Sequence, residues 1–596
     1  MIPLASLSNA AAAAPATNAA ALTTTPNSVL CAGQTQYAKG QSFSVSYATT
    51  RVASKNWIGI YADDGRGPGS VNALVWAYAP KASGAVTLST SSLAPGHYVA
   101  YYLYNDGYTS LSNPARFDVT SGPATGSPNL IVNGDAECAN ASASGYDGAV
   151  LPGWQVSGLT AVVGYDVGRG FPSPSTAGPA IRGHQFFSGG PIGDSTLTQT
   201  INVSAAAAQI DGGAVTYDLS GWLGGYANET SWTVVTISFN GANGASLGTG
   251  TIGPVSASDR GNTTALQERV SHGNVPAGTR SIGVKVEFLG ETLRNLANQY
   301  NDAYADNLSL TLSTPLPAPA VPPPVAATVP AFDHVFFVIL ENRRYDEVIG
   351  SRSNAPYLNG LASNNVALAR SYGLIHPSDP NYMAVAGGST FGHQDNPMPD
   401  GIGTIGSPHI GDLVEAAGKK WRGYIEDMGT PCNLVKNGNY DPDNLPFLFF
   451  QNIGGADRTR CNEHIRPITQ LWTDLQSATT TPNFVWFEPN SCNSMHNCST
   501  QTGDAWFQAN LPKILTSPAW TQQRSLMIIT FDEDDNVSGQ AIPTIVLASP
   551  GITKTGFQSN VRYTHYSMLR TMEIGLGLPN MTQNDQFAIP LNDIWR

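Results

Sequence analysis

The segment Val335-Phe-Phe-Val-Ile-Leu340, followed directly by Glu341-Asn342, sets the fold of the C-terminal part of this chain. An unbroken apolar run predicts a strand buried on both faces, because a strand with one wet face would alternate apolar and polar residues. Similar runs recur at residues 484–487, 526–530 and 544–548, with helical segments between them. This alternation predicts an α/β/α domain with a mainly parallel sheet.

Changes in composition divide the rest of the chain. The Pro-rich stretch at residues 314–331 favours an extended, semi-rigid linker and precedes the α/β/α domain, which is expected at residues 332–596. Short alternating strands separated by turn residues predict all-β sandwich modules at residues 27–121 and 127–313. Residues 1–26 contain no Lys or Arg, which a secretory signal would need, and they are expected to be disordered.

Composition and charge limit the class of partner. Asp, Glu, Lys and Arg make up 12% of the 596 residues, and the formal net charge is −13. A negative chain without a basic cluster is a poor partner for nucleic acid. No apolar run approaches the roughly 18 residues that a transmembrane helix needs, so stable membrane insertion is not expected.

The six cysteines indicate disulfide bonds. An even count is typical of an oxidising compartment, so we expect a secreted protein, extracellular or periplasmic. Zinc binding is the alternative, but the close pairs lack the CxxC spacing of zinc sites. The expected pairs are Cys432 with Cys461, Cys492 with Cys498 and, from the two that are left over, Cys31 with Cys138.

Acidic residues follow several of the predicted strands. They are Glu341 with Asn342, Asp532 with Glu533, Glu488, and Glu426 with Asp427. The carboxyl ends of parallel strands meet at one edge of a sheet, where ligands bind, and carboxylates held that close repel one another. A divalent cation with oxygen ligands relieves this repulsion. Glu341, Asn342, Asp532 and Glu533 are therefore the predicted ligands of one divalent metal ion; ordinary polar loops are the alternative.

Residues 376–390 add a candidate nucleophile. They contain His376, a short apolar segment and the turn Gly387-Gly-Ser-Thr390. Small residues let the backbone approach a phosphate group, and a hydroxyl beside a metal ion can attack phosphorus. Such a turn without a function is the alternative.

Three more polar residues lie in the predicted loops and helix starts. His496 can protonate a leaving group, although a solvated loop histidine is the simpler interpretation. Asp504 can cap a helix or orient a histidine. His565 has the same ambiguity.

Together these segments resemble the phosphoesterase family that contains bacterial phospholipases C and secreted acid phosphatases, within the alkaline phosphatase-like superfamily. The resemblance covers about residues 332–582. Its anchors, in the order of the family, are Ile339-Leu-Glu-Asn-Arg-Arg-Tyr-Asp346, His376-Pro-Ser-Asp-Pro-Asn-Tyr382, Asn490-Ser-Cys-Asn-Ser-Met-His496, Gly503-Asp504, Thr530-Phe-Asp-Glu533 and Thr564-His-Tyr-Ser567.

The resemblance implies a role for each matching residue. The metal-binding positions fall on Glu341, Asn342, Asp532 and Glu533, and the active-site histidines fall on His376 and His496. By counting from Pro380-Asn381, the nucleophile falls on Ser389, with Thr390 as the adjacent alternative. Arg343-Arg344 departs from the pattern of many relatives, which changes the expected mouth of the pocket.

The β modules carry looser resemblances. Residues 27–121, with Asn56-Trp-Ile-Gly-Ile-Tyr61, resemble an immunoglobulin-like module, and residues 127–313 resemble a jelly-roll carbohydrate-binding module. The segments around Glu137 and Asp306 are similar to the two ends that meet at a structural calcium ion in such modules, so these two residues are its expected ligands. A pair of plain turns is the alternative. A glycan is the partner that this resemblance implies.

The expected function is that of a secreted, metal-dependent phosphoesterase. The resemblance implies hydrolysis of small phosphate monoesters, as in acid phosphatases, through a phosphoserine intermediate. The alternatives are a phospholipase C that cleaves phospholipid phosphodiesters and a non-catalytic glycan-binding surface protein. Polar loops and a negative charge favour soluble substrates over a lipid surface.

Overall fold

A computed structural model describes residues 28–33, 36–49, 51–121, 126–290, 300–537 and 539–596. The segment 1–26, expected to be disordered, lies outside the described residues. The N-terminal part is rich in strands, and helices alternate with strands from residue 334 onward. We call residues 28–121 the first β module, residues 126–312 the second β module and residues 332–596 the α/β region.

The first β module contains two sheets. Their orders are β1-β3-β6 and β2-β8-β7-β4-β5. The strands are β1 (Ser28–Cys31), β2 (Gln36–Ala38), β3 (Ser42–Thr49), β4 (Trp57–Ala62), β5 (Val75–Tyr78), β6 (Ser83–Ser89), β7 (Gly96–Leu103) and β8 (Ala115–Thr120). Buried side chains from both sheets, such as Val45, Ile60 and Phe117, form one hydrophobic cluster. Burial alternates along β8, which has one exposed face, whereas β4 is buried over four consecutive residues.

The second β module has two larger sheets, with the orders β10-β11-β18-β13-β16 and β15-β14-β17-β12-β9. The strands are β9 (Gln155–Ser157), β10 (Ala161–Gly164), β11 (Gln185–Gly190), β12 (Ser195–Asn202), β13 (Thr216–Gly225), β14 (Ser231–Asn240), β15 (Ser246–Ile252), β16 (Ala265–Asn274), β17 (Ser281–Gly290) and β18 (Asn301–Leu312); the short helix α1 (Ala207–Asp211) follows β12. Leu219, Ile237 and Val286 lie in its core.

The α/β region is built on one eight-stranded sheet, with the order β23-β22-β24-β19-β25-β26-β20-β27. These strands are β19 (His334–Leu340), β20 (Val366–Leu368), β22 (Trp421–Ile425), β23 (Ile465–Pro467), β24 (Phe484–Glu488), β25 (Ser525–Phe531), β26 (Thr544–Ala548) and β27 (Phe557–Ser559); β21 (Ser371–Tyr372) and β28 (Tyr563–Thr564) pair separately. The sheet is mixed, because β26 runs antiparallel to both β25 and β20. The strands from β23 to β25 are parallel, as predicted.

Helices join the strands of this sheet. They are α2 (Tyr345–Val348), α3 (Pro356–Asn364), α4 (Ser378–Gly387), α5 (Ile410–Ala416), α6 (Gln451–Gly454), α7 (Thr459–His464), α8 (Ile468–Asp474), α9 (Thr500–Leu515), α10 (Pro518–Thr521), α11 (His565–Leu576) and α12 (Gln583–Phe587). Every residue of β19 and β25 is buried. The two strands at the centre of the sheet are therefore the continuous apolar runs of the sequence.

All six cysteines form disulfides, in the predicted pairs: Cys31–Cys138, Cys432–Cys461 and Cys492–Cys498. The first joins β1 to the second β module. The Pro-rich segment is packed onto the protein rather than projecting as a spacer: the carbonyl oxygen of Val325 accepts a hydrogen bond from Arg570 (2.6 Å), and Thr328 donates its amide to Asn592 (2.8 Å). Among the described residues, no helix has the length and apolar character to span a membrane.

Candidate active site

The carboxylates of Glu341, Asp532 and Glu533 lie at the ends of the two central strands. Leu340 pairs with Phe531 in the parallel register of β19 and β25, so the following residues leave the sheet side by side. Asn342 has a left-handed backbone (φ 50°), a conformation that Asn tolerates. Its amide donates to Asp532 Oδ1 (2.9 Å) and its side chain donates to Glu341 Oε2 (3.1 Å). The structure therefore brings the four predicted metal ligands together.

These carboxylates are buried, which makes their charge costly. Burial, and then the neighbouring Glu341 and Glu533, raises the pKa of Asp532 well above its usual value. Burial also raises the pKa of Glu533, against the opposing effect of His376. Asp532 Oδ2 is buried without a hydrogen-bond partner. An unpaired buried carboxylate oxygen is costly unless a cation binds it.

A hydroxyl from helix α4 contacts this group. Ser378 is the first residue of α4, and its Oγ lies 3.1 Å from Glu341 Oε2 and 3.3 Å from Glu533 Oε1. Tyr382, one turn later, donates its hydroxyl to Glu341 Oε1 (2.6 Å). The N-terminus of a helix carries partial positive charge and favours an anion nearby. The hydroxyl at the carboxylates is thus that of Ser378, inside the predicted His376-to-Tyr382 motif.

His376, a predicted active-site histidine, contacts the same group. Its Nδ1 lies 2.6 Å from Glu533 Oε2, and its Nε2 lies 3.1 Å from Asp534 Oδ1. Burial lowers the pKa of His376, but the two carboxylates outweigh this effect and raise it to about 9. Asp534 is a member of this site that sequence reasoning passed over, although it stands in the same acidic run as Asp532.

The donors at this site fit a hard divalent cation. Carboxylate, amide and hydroxyl oxygens are the ligands that Mg²⁺ and Ca²⁺ prefer. Within the described part of the chain, no group of three or more His, Cys, Asp or Glu side chains already forms a metal-binding arrangement. Glu341, Asp532 and Glu533 do not form such an arrangement as they stand, so metal binding at this edge of the sheet stays a prediction.

Ser389, the predicted nucleophile, lies at the opposite end of α4 from Ser378. The ten residues of α4 rise about 15 Å, at ~1.5 Å per residue. Ser389 Oγ accepts a hydrogen bond from the amide of Phe391 (3.0 Å). Ser389 also lines a cavity of about 330 Å³ between the α/β region and the two β modules. Thr390 is buried beside it. The structure therefore does not bring Ser389 or Thr390 to the predicted metal ligands.

His496 and His565 occupy contrasting positions. His496 is exposed, and its Nδ1 lies 2.9 Å from the side chain of Asn497. His565 is buried at the start of α11, with Nε2 2.6 Å from the carbonyl oxygen of Asp532. Burial lowers the pKa of His565 to about 4. A neutral ring donating from Nε2 therefore supports the backbone of Asp532, whereas His496 is not brought to the carboxylates.

Asp504 caps a helix. Its two carboxylate oxygens accept hydrogen bonds from the amides of Tyr357 (3.0 Å) and Leu358 (2.8 Å), in the first turn of α3. Unpaired amides at a helix N-terminus are stabilised by such an acceptor. Of the two roles that the sequence left open for Asp504, the structure shows the capping role.

The Asp504→Ala variant should lower the free energy of unfolding by about 2 kcal/mol, because two amides lose a charged acceptor. It should leave kcat within twofold of the wild-type value. Denaturant unfolding and steady-state kinetics check the two parts. Glu463→Ala removes an exposed carboxylate from α7 and is the matched control. A large loss of kcat without loss of stability would instead assign Asp504 to catalysis.

The other predicted strand-end carboxylates have separate partners. Glu488 is buried and accepts hydrogen bonds from the ring nitrogen of Trp486 (2.7 Å) and the amide of Ile339 (3.2 Å). Glu426 accepts from Asn490 (3.0 Å), and Asp427 also accepts from Asn490 (2.6 Å). Hydrogen bonds therefore tie Glu488 to β24 and β19, and Glu426 and Asp427 to the loop that follows β24.

Arg343 and Arg344, the departure from the family pattern, hold loops in place. Arg343 donates to the carbonyl oxygens of Met495 (2.7 Å) and Cys498 (3.0 Å). Arg344 pairs with Asp346 (2.7 Å). Arg343 therefore anchors the disulfide-closed loop that follows β24.

The predicted calcium ligands are electrostatic neighbours in the second β module, where Asp306 is buried and Glu137 is partly exposed. Glu137 accepts hydrogen bonds from the amides of His184 (2.7 Å) and Gln185 (2.9 Å), and Asp306 accepts one from the hydroxyl of Tyr165 (2.6 Å). Burial raises the pKa of both carboxyl groups well above the usual range. Calcium binding by Glu137 and Asp306 stays a prediction.

Comparisons with known proteins match the α/β region. The model of the phosphoesterase family matches residues 351–579. A phosphatidylinositol-3-phosphatase from Mycobacterium tuberculosis is 33% identical over 275 residues, which is 45% of this chain and 85% of that protein. An acid phosphatase from Aspergillus fumigatus is 28% identical, over 43% of this chain and 57% of that protein, so little more than half of its length is matched.

A solved structure gives a weaker match. It is an alkaline phosphatase superfamily protein from Vibrio parahaemolyticus, 14% identical, with a TM-score of 0.32 over 44% of this chain and 71% of that chain.

Proposed function

The chain belongs to the phosphoesterase family and is a hydrolase of phosphate esters, and on that premise we propose that it cleaves small phosphate monoesters with the help of a divalent metal ion. The observation that carries this proposal is the contact of the Ser378 hydroxyl with the carboxylates of Glu341 and Glu533 at the ends of the central strands. A hydroxyl held there can be deprotonated and can attack phosphorus.

In the proposed reaction, Ser378 Oγ attacks phosphorus and the ester oxygen leaves, which forms a phosphoserine. Water then attacks this intermediate, releases inorganic phosphate and restores the Ser378 hydroxyl. We place the nucleophile on Ser378 instead of Ser389, because of these two serines it is Ser378 whose hydroxyl contacts the carboxylates. In this proposal the N-terminus of α4 favours the negative charge that develops on the phosphoryl group, because Ser378 is the first residue of that helix.

Glu341, Asn342, Asp532 and Glu533 would hold the metal ion. When bound, it supplies a positive charge that favours the alkoxide of Ser378 and neutralises the phosphoryl oxygens. His376 contacts Glu533, which Ser378 also contacts, and Asp534, so we propose it as the proton donor of this site. It can therefore donate a proton to the leaving oxygen. The ring of His565 contacts the backbone carbonyl oxygen of Asp532 and so holds this residue in place.

The remaining parts of the proposal concern location and accessory binding. Three disulfides fit an oxidising compartment, so we infer that the protein works outside the cytosol. The second β module is the proposed carrier of glycan binding. With its proposed active site present in the described residues, we favour an enzyme over a purely glycan-binding protein.

The substrate preference can be measured directly. At matched phosphorus concentration and mildly acidic pH, we expect faster turnover of p-nitrophenyl phosphate than of phosphatidylcholine vesicles. The physical reason is that acidic and polar loops give little attraction to a bilayer. Phosphate release and choline-phosphate release are the two readouts, with Ser378→Ala as the blank.

A third substrate separates the remaining alternatives. Vesicles that contain phosphatidylinositol 3-phosphate present a monoester on a lipid, the substrate named by the mycobacterial relative. Hydrolysis of that lipid without cleavage of phosphatidylcholine would show that the enzyme acts on phosphate monoesters. Its substrate would then be a lipid instead of a small soluble ester. Faster cleavage of phosphatidylcholine than of either monoester would overturn the proposal in favour of a phospholipase C.

A further inference from the structure

The second β module reaches into the α/β region through one short loop, residues 142–150. Both ends of this loop are tied to their own module: Ser142 donates its amide to Val162 (2.7 Å), and Ala149 donates to Thr160 (2.9 Å). The loop is therefore held in place by strand β10 and its flank. We call it the bridging loop.

The tip of the bridging loop packs against a buried cluster of the α/β region. Tyr146 and Val150 contact this cluster, whose members are Leu374, Ile375, Ala384, Tyr566 and Ala588. The amide of Gly148 donates to the carbonyl oxygen of Leu374 (3.1 Å). Two residues of the cluster, Leu374 and Ile375, immediately precede His376. The bridging loop thus touches the backbone that carries an active-site side chain.

A second contact fixes the orientation of the bridging loop. Asp147 is buried, and its carboxylate accepts hydrogen bonds from the hydroxyls of Ser142 and Ser144 (2.8 Å for Ser144). Burial raises the pKa of Asp147, and the hydroxyls of Ser142, Ser144 and Thr390 oppose this rise. Ala143 lies so close to Gly392 that a Cβ there would come within 3.3 Å. The loop is therefore enclosed by its own serines and by the turn that follows α4.

The segment 374–377 is also held by α4. The side chain of Asn381 accepts a hydrogen bond from the amide of Leu374 (2.8 Å) and donates to the carbonyl oxygens of Ile375 (2.7 Å) and Pro377 (3.2 Å). Asn381 and the bridging loop therefore both hold this segment through hydrogen bonds. His376 lies within this segment, and its ring contacts Glu533.

From this geometry we infer that Tyr146 is a positioning residue for the phosphoesterase reaction: the second β module holds the His376 segment in its working place. The second β module is then part of the catalytic apparatus, besides any role in binding a glycan. A displacement of about 1 Å at a reacting group can cost about 10²-fold in rate. The inference rests on the proposed function for its kinetic readout.

The test compares variants of the full-length chain. Tyr146→Ala should lower kcat for p-nitrophenyl phosphate by about 10- to 100-fold with KM changed less than threefold, because loose positioning impairs the chemical step. Tyr146→Phe keeps the ring and should retain at least half of the wild-type kcat. Tyr217→Ala removes a buried tyrosine from the core of the same module, away from the bridging loop, and is the matched control. Its folded fraction should keep the wild-type kcat.

Hydrogen exchange gives a readout that does not need activity. The amides of Leu374 and Ile375 should exchange faster in Tyr146→Ala than in the wild-type chain and in Tyr217→Ala. An inactive wild-type chain would contradict the proposed function, and this exchange would still decide the positioning role. If Tyr146→Ala does not fold, Val150→Ala is measured in its place. We then expect a smaller loss of kcat and a smaller increase in amide exchange. Unchanged kcat and exchange, or equal losses in Tyr217→Ala, would overturn the inference.

Discussion

The Ser378→Ala variant is expected to lose activity by about 10³-fold or more, because it removes the only atom that forms the covalent bond to phosphorus. The fold should survive, since the change deletes one oxygen from a site whose carboxylates keep other partners. Steady-state kcat and the melting temperature measure the two parts. Trapping of a phosphorylated chain by rapid acid quench should succeed with the wild type and fail with the variant.

Ser389→Ala is the matched control at the other end of α4. It should keep kcat within about threefold, because its hydroxyl contacts the amide of Phe391. The two variants differ only in which end of one helix loses a hydroxyl. If Ser389→Ala were inactive and Ser378→Ala active, the original sequence assignment would be correct and the mechanism proposed above would fall.

Removal of the metal ion is expected to have an effect of similar size. A Lewis acid at a phosphoryl group is worth several kcal/mol, which corresponds to about 10²- to 10³-fold or more in rate. Chelation should therefore abolish turnover, and a divalent ion should restore it. Asp532→Ala should weaken metal binding and reduce kcat by the same order, because it removes a buried charged ligand. Elemental analysis of the purified chain gives a readout independent of activity.

Glu488→Gln controls for the loss of a buried carboxylate near the same edge of the sheet. Glu488 contacts Trp486 and Ile339, so the amide should preserve metal content and activity. A rigorously metal-free chain with full activity would contradict the role of the cation. Equal loss of metal in both variants would show that the ligand set extends to β24.

The proximity of Glu341, Asn342, Asp532 and Glu533 could be predicted from the sequence because it depends on two local patterns. Continuous apolar runs identified β19 and β25, and the residues that end parallel strands share an edge of the sheet. Glu426 and Glu488 satisfied the same rule, yet Glu426 bonds the loop after β24, and Glu488 bonds Trp486 and the backbone of β19. The rule locates the edge of the sheet, whereas the direction of each side chain depends on packing that the sequence pattern does not contain.

It was harder to predict which end of α4, and so which serine, lies at the carboxylates. The segment 376–390 has a serine near each end, and a short apolar helix looks the same in either orientation. One signal was available: Ser378 stands directly after Pro377, where a helix begins, and a helix N-terminus attracts phosphate. The antiparallel course of β26 was missed for a related reason, because a buried strand is apolar whichever way it runs.

The contact of Tyr146 with the α/β region had no sequence signal. Ser144-Gly-Tyr-Asp-Gly148 has the composition of an exposed turn, and its partners lie more than 200 residues later in the chain. The side chain is half-buried only because two separate modules meet there. Such contacts between modules are set by the assembled shape, so they appear only in the structure.

The Cys31–Cys138 disulfide affects how the protein withstands proteolytic cleavage. The bond closes a loop of 107 residues that contains almost all of the first β module. Exposed loops are the usual sites of proteolytic cleavage. A single cut between the two cysteines would nick the chain without shedding a fragment, since both pieces remain covalently joined. In an oxidising medium the enzyme would keep all its parts after such damage, and only reduction combined with cleavage would separate them.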